Sequence, residues 1–282
     1  MSIFKKPPFN SGSKKREMPE GLWEECPECG EIIHQLTLAE NLHVCPKCDY
    51  HFRIGAQDRL DAFLDAGTFE EFDADMEPVD ILEFRGPKAY RASIAEKQKI
   101  TGLKDAVISG VGKSEGRQLA IAAMDFRFLA ASMGSVVGEK ITRVIEYGTK
   151  NRLPVIIFTA AGGARMHEGL FGLMQMAKTS GALALHARAG LPYIPVLTDP
   201  TTGGVSASFA TLGDLIVAEP KCMVGFAGPR VIRETTHQDL PPNFQTAEFL
   251  EDHGLVDMIV HRKKMRSTIS AILDFIAGPV AS

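Results

Sequence analysis

LPVIIFTAAGGARM, residues 153–166, opens with an almost wholly apolar run from Leu153 to Thr159 and then turns on the pair Gly162 and Gly163. A short apolar run without polar alternation is the pattern of a strand buried on both faces, as in a parallel sheet. The unit recurs in PYIPVLTDPTTGGVSAS, residues 192–208, where Pro192 to Thr198 reads as a second buried strand ahead of Gly203 and Gly204. Between the two units the sequence predicts a helix over about 168–189, and Gly203-Gly204 is expected to open a further one. Upstream, Ala106 to Val111 and Gln118 to Met124 flank Lys113-Ser114-Glu115-Gly116-Arg117, which reads as a hairpin. A helix is predicted over about 134–150, with Val137, Ile141, Val144 and Ile145 on one face. Shorter strands follow at 214–218, 223–226 and 256–260, before a last helix over about 263–277. Residues 52–105 read as a charged, helical connection. Strand, glycine turn and helix, repeated after a hairpin, imply an α/β body with a largely parallel sheet. Ligands of such sheets collect at the carboxyl ends of the strands, where both glycine pairs lie.

The chemistry of those turns follows from what they lack. Neither is G-x-x-x-x-G-K-[ST] or G-x-G-x-x-G, and no G-x-S-x-G places a serine at a nucleophile elbow. Glycine exposes backbone N–H groups to close approach, and a following helix would add its dipole. Gly162, Gly163, Gly203 and Gly204 are therefore candidate oxyanion residues without an evident nucleophile. That combination suits enolate chemistry on a thioester, where charge develops on the carbonyl oxygen. His167, His186 and Asp199 lie near the turns and are read as structural. Cys222, alone in an apolar run, is read as a core residue.

Near the N-terminus Cys26, Cys29, Cys45 and Cys48 fall in the spacing C-x2-C-x15-C-x2-C, each pair in a CPxC turn. Two such turns present four thiolates to one zinc ion, and so small a module needs such a staple. His34, His43 and His51 are read as surface histidines. The expected organisation is a flexible arm over 1–20, a zinc-ribbon domain over 21–55 and one large domain over 56–282. The chain carries a formal net charge of −4 and is 45% hydrophobic, an ordinary globular composition. No run of 18 apolar residues and no signal peptide appear, so no membrane association and cytoplasmic residence are expected. Residues 1–55 hold seven Lys or Arg against eight Asp or Glu. A ribbon so acidic argues against nucleic acid as its main partner.

The joint pattern is more specific than its parts. GGARM at 162–166, LMQMAKTS at 173–180, LTDPTTGGVSASF at 197–209, GFAGPRVI at 225–232, MGSVVGEK at 133–140 and the CPxC ribbon together resemble the β subunits of bacterial acetyl-CoA carboxylase carboxyltransferase, from about residue 20 to 275. The resemblance implies a crotonase-like ββα superhelix behind the ribbon. It implies transfer of a carboxyl group from carboxybiotin to acetyl-CoA, giving malonyl-CoA. Biotin would arrive on a biotin carboxyl carrier protein and not be bound covalently to this chain. The other implied partners are a carboxyltransferase α subunit, in an α2β2 assembly whose active site the two subunits share, and biotin carboxylase. Gly163 and Gly204 would be the oxyanion donors, with Gly162 and Gly203 shaping the turns. Arg165 and Arg230, each at an expected helix start, are candidate substrate-binding residues, Arg165 toward the acyl-CoA or the α subunit and Arg230 toward the biotin side, with an internal salt bridge as the alternative. The chain departs from the family pattern with Ala161 in place of Ser and His167 in place of Gln. Two other readings stay open: a carboxyltransferase for propionyl-CoA or a larger acyl-CoA, and a zinc-ribbon regulator that binds nucleic acid.

Overall fold

The computed structural model describes residues 22–278, so the expected arm over 1–20 lies outside the described residues. In chain order the elements are β1 (Trp23–Glu25), β2 (Ile32–His34), α1 (Gln35–Glu40), α2 (Ala56–Phe63), β3 (Glu70–Glu71), α3 (Tyr90–Thr101), β4 (Val107–Ser114), β5 (Arg117–Met124), α4 (Ser135–Asn151), β6 (Val155–Ala161), α5 (Leu170–Arg188), β7 (Tyr193–Thr202), β8 (Val217–Ala218), β9 (Val224–Gly225), α6 (Pro229–Thr236), α7 (Ala247–Asp252), β10 (Met258–Ile259) and α8 (Arg262–Ala277). The hairpin β1–β2 belongs to the ribbon. The large sheet runs β10-β8-β7-β6-β5-β4-β3, with β9 also paired to β7. Only β3–β4 and β4–β5 pair antiparallel; every other pairing in it is parallel.

The unalternating runs are explained by cover on both faces. Successive side chains of a strand point to opposite sides. Ala120, Ala122, Val155 and Ile157 join the core under α4, with Val137, Ile141, Val144 and Ile145. Leu119, Ile121, Ile156 and Phe158 face the other way, onto Leu60 of α2 and Met265, Ile269 and Leu273 of α8. A buried aliphatic side chain of this kind stabilises the fold by about 1.5–3 kcal/mol. Ile156→Ala would leave a cavity at the centre of the sheet and cost about 2–5 kcal/mol.

Two expectations need correction. Residues 52–105 are less helical than their charge suggests, since only α2 and α3 form and the chain between them carries just the short β3. Gly203-Gly204 opens no helix; residues 203–208 are turns that lead to a single 3-10 turn at Phe209–Thr211. One helical bond does form, from Ala207 N–H to Gly203 O at 2.9 Å, but the next does not: Ser208 N–H turns to Val205 O at 3.2 Å while its hydroxyl takes Gly204 O at 2.6 Å.

Candidate active site

The two glycine turns meet. A Cβ placed on Gly203 would lie 2.5 Å from Gly163 Cα, so only glycine permits this approach, and Gly203 also has φ +63°. Backbone hydrogen bonds hold each turn from its outer side. Gly162 N–H donates to Ala130 O at 2.7 Å, Met133 N–H to Gly163 O at 2.9 Å, and Arg165 N–H to Met133 O at 3.0 Å. In the second turn Gly203 N–H donates to Phe226 O at 3.0 Å. The N–H groups of Gly163 and Gly204 have no partner among the described residues. Gly204 is buried, and a buried donor without a partner is costly unless something else accepts from it. The sulfurs of Met133 and Met176 lie 3.4 Å from where a Gly204 Cβ would sit, which makes an apolar wall beside that donor. Neither glycine pair is directly followed by an α-helix, since α5 begins only at Leu170. The candidate donors are therefore individual N–H groups and not the first turn of a helix that follows the glycines.

Different chemistry fixes the two turns. Behind the first lies Arg165, which is fully buried. Its Nη1 and Nη2 donate to the two Asp105 oxygens at 2.6 Å each. The other donations go to Ser132 Oγ at 3.1 Å, Ser132 O at 2.8 Å and Tyr90 Oη at 3.3 Å. All five guanidinium N–H groups are thus engaged. Burial opposes the charge, but Asp105 outweighs it and raises the Arg165 pKa further. The substrate role expected for Arg165 is therefore corrected to an internal ion pair that supports the chain just after Gly163. Tyr90 Oη donates to Glu168 Oε1 at 2.6 Å, and Glu168 Oε2 accepts the Ser135 N–H at the start of α4. The nearest supports of the second turn are neutral hydroxyls. Thr198 donates to Thr159 O at 2.6 Å, Thr201 bonds the Thr159 hydroxyl at 2.9 Å, and Thr202 donates to Ala161 O at 2.8 Å. The clustering of threonine and serine in TDPTTGGVSAS was the available signal for this ladder, and sequence reasoning passed over it.

Arg230 is exposed on α6 and paired with Glu234 at 2.7 Å. His167 stacks on Tyr90 with ring centres 4.7 Å apart; burial, then the nearby Arg165, lowers its pKa. His186 is buried, with Nδ1 2.9 Å from the Thr149 hydroxyl.

The ribbon docks at the carboxyl ends of β5, β6 and β7. Its four Sγ atoms lie within 4.8 Å of one another, with Cys26–Cys48 at 3.6 Å and Cys29–Cys45 at 3.8 Å. Tetrahedral zinc at its usual thiolate distance requires sulfurs about 3.8 Å apart, so the donor set fits that ion. Burial works against ionising Cys45, but N–H groups of Lys47 and Cys48 outweigh it and bring the thiol to about 7. At the joint Glu219, buried, accepts from Arg59 at 2.7 Å and from both Nε and Nη2 of Arg262 at 2.7 Å. Arg262 also donates to the ribbon carbonyls of Leu42 and His43. His51, expected at the surface, is buried here 4.0 Å from Glu219, with neither ring nitrogen hydrogen bonded. Opposite charge would favour its protonation; burial prevails and lowers its pKa to about 4.

With this geometry in view, the comparisons are direct. The carboxyl transferase domain model matches residues 56–275, and the acetyl-CoA carboxylase zinc finger domain model matches residues 23–48. The acetyl-coenzyme A carboxylase carboxyl transferase subunit beta of Synechococcus sp. (strain RCC307) is 53% identical over 262 residues, covering 93% of this chain and 90% of that one. A relative from Natranaerobius thermophilus, described as subunits beta/alpha, is 54% identical over 93% of this chain and 43% of its own length. Among solved structures, transcarboxylase 12S has a TM-score of 0.66 at 24% identity, over 79% of this chain and 42% of that one. Fold and family model together define a carboxyl transferase of crotonase-like fold, carrying a four-cysteine ribbon. Within that class the chain belongs to the family of acetyl-coenzyme A carboxylase carboxyl transferase beta subunits.

Proposed function

We propose that this chain carries out carboxyl transfer to acetyl-CoA, giving malonyl-CoA, with Gly163 and Gly204 donating the two hydrogen bonds that hold the thioester oxygen while it is negative. Acetyl-CoA carboxylation is the activity named for the relatives that are 53 and 54% identical. Carboxybiotin, brought by its carrier protein, supplies the carboxyl group. As the acetyl methyl loses its proton, which passes to the biotin ureido nitrogen that has given up the carboxyl group, charge moves to the thioester oxygen, and fixed donors lower the barrier most where that charge appears. The observation that carries the reading is the pattern of pairing. Gly162 and Gly203 have their N–H groups tied to Ala130 and Phe226, while those of Gly163 and Gly204 are unpartnered where the turns touch. Loss of one such donor raises a barrier by about 3–4 kcal/mol.

The rest of the assembly is assigned on complementary grounds. Met166, Leu170, Phe171, Leu173 and Met174 are exposed just beyond the first turn, an apolar face suited to the α subunit. The fused beta/alpha relative supports that partner. We assign the complex as α2β2, completed by biotin carboxyl carrier protein and biotin carboxylase. Arg230, exposed beside the Phe226 loop, faces the biotin side. One zinc ion per chain is held by Cys26, Cys29, Cys45 and Cys48, and four reduced thiols suit the cytoplasm. Among the described residues no helix is long and apolar enough to cross a membrane.

The test is carboxyl exchange between malonyl-CoA and free biotin, with the α subunit present and absent. Activity is expected only in the mixture. Gly204→Val should abolish turnover while fold and zinc content persist; wild-type turnover in that variant overturns the assignment.

A further inference from the structure

We infer that Arg53 is a positioning residue for both glycine turns, setting their separation from the ribbon side without touching substrate. The inference rests on the reading of Gly163 and Gly204 as oxyanion donors. Arg53 follows Cys48 by five residues, where the chain leaves the ribbon. Its Nε and Nη2 both donate to Asp199 Oδ2, at 3.1 and 3.0 Å. Its guanidinium carbon lies 4.4 Å from the centre of the Phe126 ring.

Each contact leads to a different turn. Asp199 lies on β7 four residues before Gly203, and its other oxygen accepts the Met223 N–H at 3.1 Å. Met223 O accepts from Thr201 N–H at 2.8 Å, which starts the pairing of β7 with β9; the carbonyl of Phe226, just after β9, holds Gly203 N–H. The Asp199 carboxylate thus fixes the strand pair from which the second turn hangs. Phe126 lies beneath the first turn, its ring 3.6 Å from the Cβ position of Gly162. A single planar cation therefore bridges the supports of both turns.

It does so where the sheet does not. The register of β6 with β7 shifts between Thr159 and Ala161, so the parallel ladder is irregular immediately before the glycines. The ion pair is partly exposed, 49% for Arg53 and 29% for Asp199, and such a pair contributes little to stability. A small displacement of donors at a reacting centre, by contrast, has a large effect on rate. The two roles are therefore separable by experiment.

The experiment uses the complex with the α subunit and the malonyl-CoA to biotin exchange. Arg53→Met keeps a stem over Phe126 but loses the charge; Asp199→Asn keeps an acceptor for Met223. Either change should lower kcat about tenfold, with KM for the acyl-CoA within about twofold of wild type. Zinc content and thermal midpoint should be unchanged. The double variant should be no slower than either single one, and Arg53→Lys should recover most of the rate. Wild-type kcat in both single variants, a loss carried by KM, multiplying losses in the double variant, or a parallel loss of zinc or thermal stability would each overturn the inference. Gly204→Val in the same series separates the two readings. If it is inactive while the Arg53 variants are normal, only the present inference falls; if it is active, the oxyanion reading falls.

Discussion

Behind Gly163 stands a buried ion pair, Arg165 with Asp105, whereas Gly203 and Gly204 hang from a ladder of hydroxyls at Thr198, Thr201, Thr202, Ser206 and Ser208. The two turns, to which we assign one task, differ in their nearest support. A buried charge pair is all or nothing: intact it is satisfied, and broken it leaves a charge in a low-dielectric interior. A hydroxyl ladder is graded, because each rung adds only about 0.5–1.5 kcal/mol. Loss of one rung should loosen the second turn, and loss of Asp105 should undo the first altogether.

Asp105→Ala should show the largest effect. It strands the Arg165 guanidinium and should cost about 3–5 kcal/mol, read as a fall in the urea midpoint. Replacing both members by apolar residues of similar volume, Asp105→Leu with Arg165→Met, should cost far less. A double variant as unstable as the single one would show that the turn needs the charge itself. Next comes the ribbon joint, where a neutral histidine sits within a charged cluster. His51 has a folded pKa of about 4, below its ordinary 6.5, so the unfolded chain binds its proton first as pH falls. Its stability contribution is full above pH 6.5, is lost between about 6.5 and 4, and is flat below; the loss is on the order of 3 kcal/mol. His51→Phe should lack that slope, so the difference between the two proteins' urea midpoints should change across this range. A constant difference would mean that His51 is protonated in the fold. The smallest effect belongs to the ladder. Thr201→Val should cost about 1 kcal/mol and lower the exchange rate only modestly. A collapse as severe as that of Asp105→Ala would erase the contrast between the turns.

The strands at 155–161 and 193–202 were legible because a continuous apolar run has few places to go in a folded chain, and the ribbon because four cysteines at fixed spacing have few chemistries open to them. What escaped was long-range pairing. Nothing local marks Asp105 as the partner of an arginine 60 residues later, or Glu219 as the acceptor for both Arg59 and Arg262. The sequence therefore leaves Arg165 between a ligand and an internal partner, and the fold supplies the partner in Asp105. The strand β7 runs on to Thr202 past Pro200, a residue that ordinarily argues against a strand, so the sequence ends it early at Thr198. The helix expected after Gly204 stops at a single bond, because the Ser208 hydroxyl and not its N–H takes the Gly204 carbonyl.

The bonds from Arg262 to the carbonyls of Leu42 and His43 join points 220 and 219 residues apart in the chain. The ribbon precedes α8 in the chain, so on a ribosome its four thiols are complete before the guanidinium that ties Leu42 and His43 to the body is translated. Metal capture is thereby free to run ahead of docking, and the bond from α8 is added after the partners of Arg53 and Glu28, Asp199 and Lys221, are already in place in the chain.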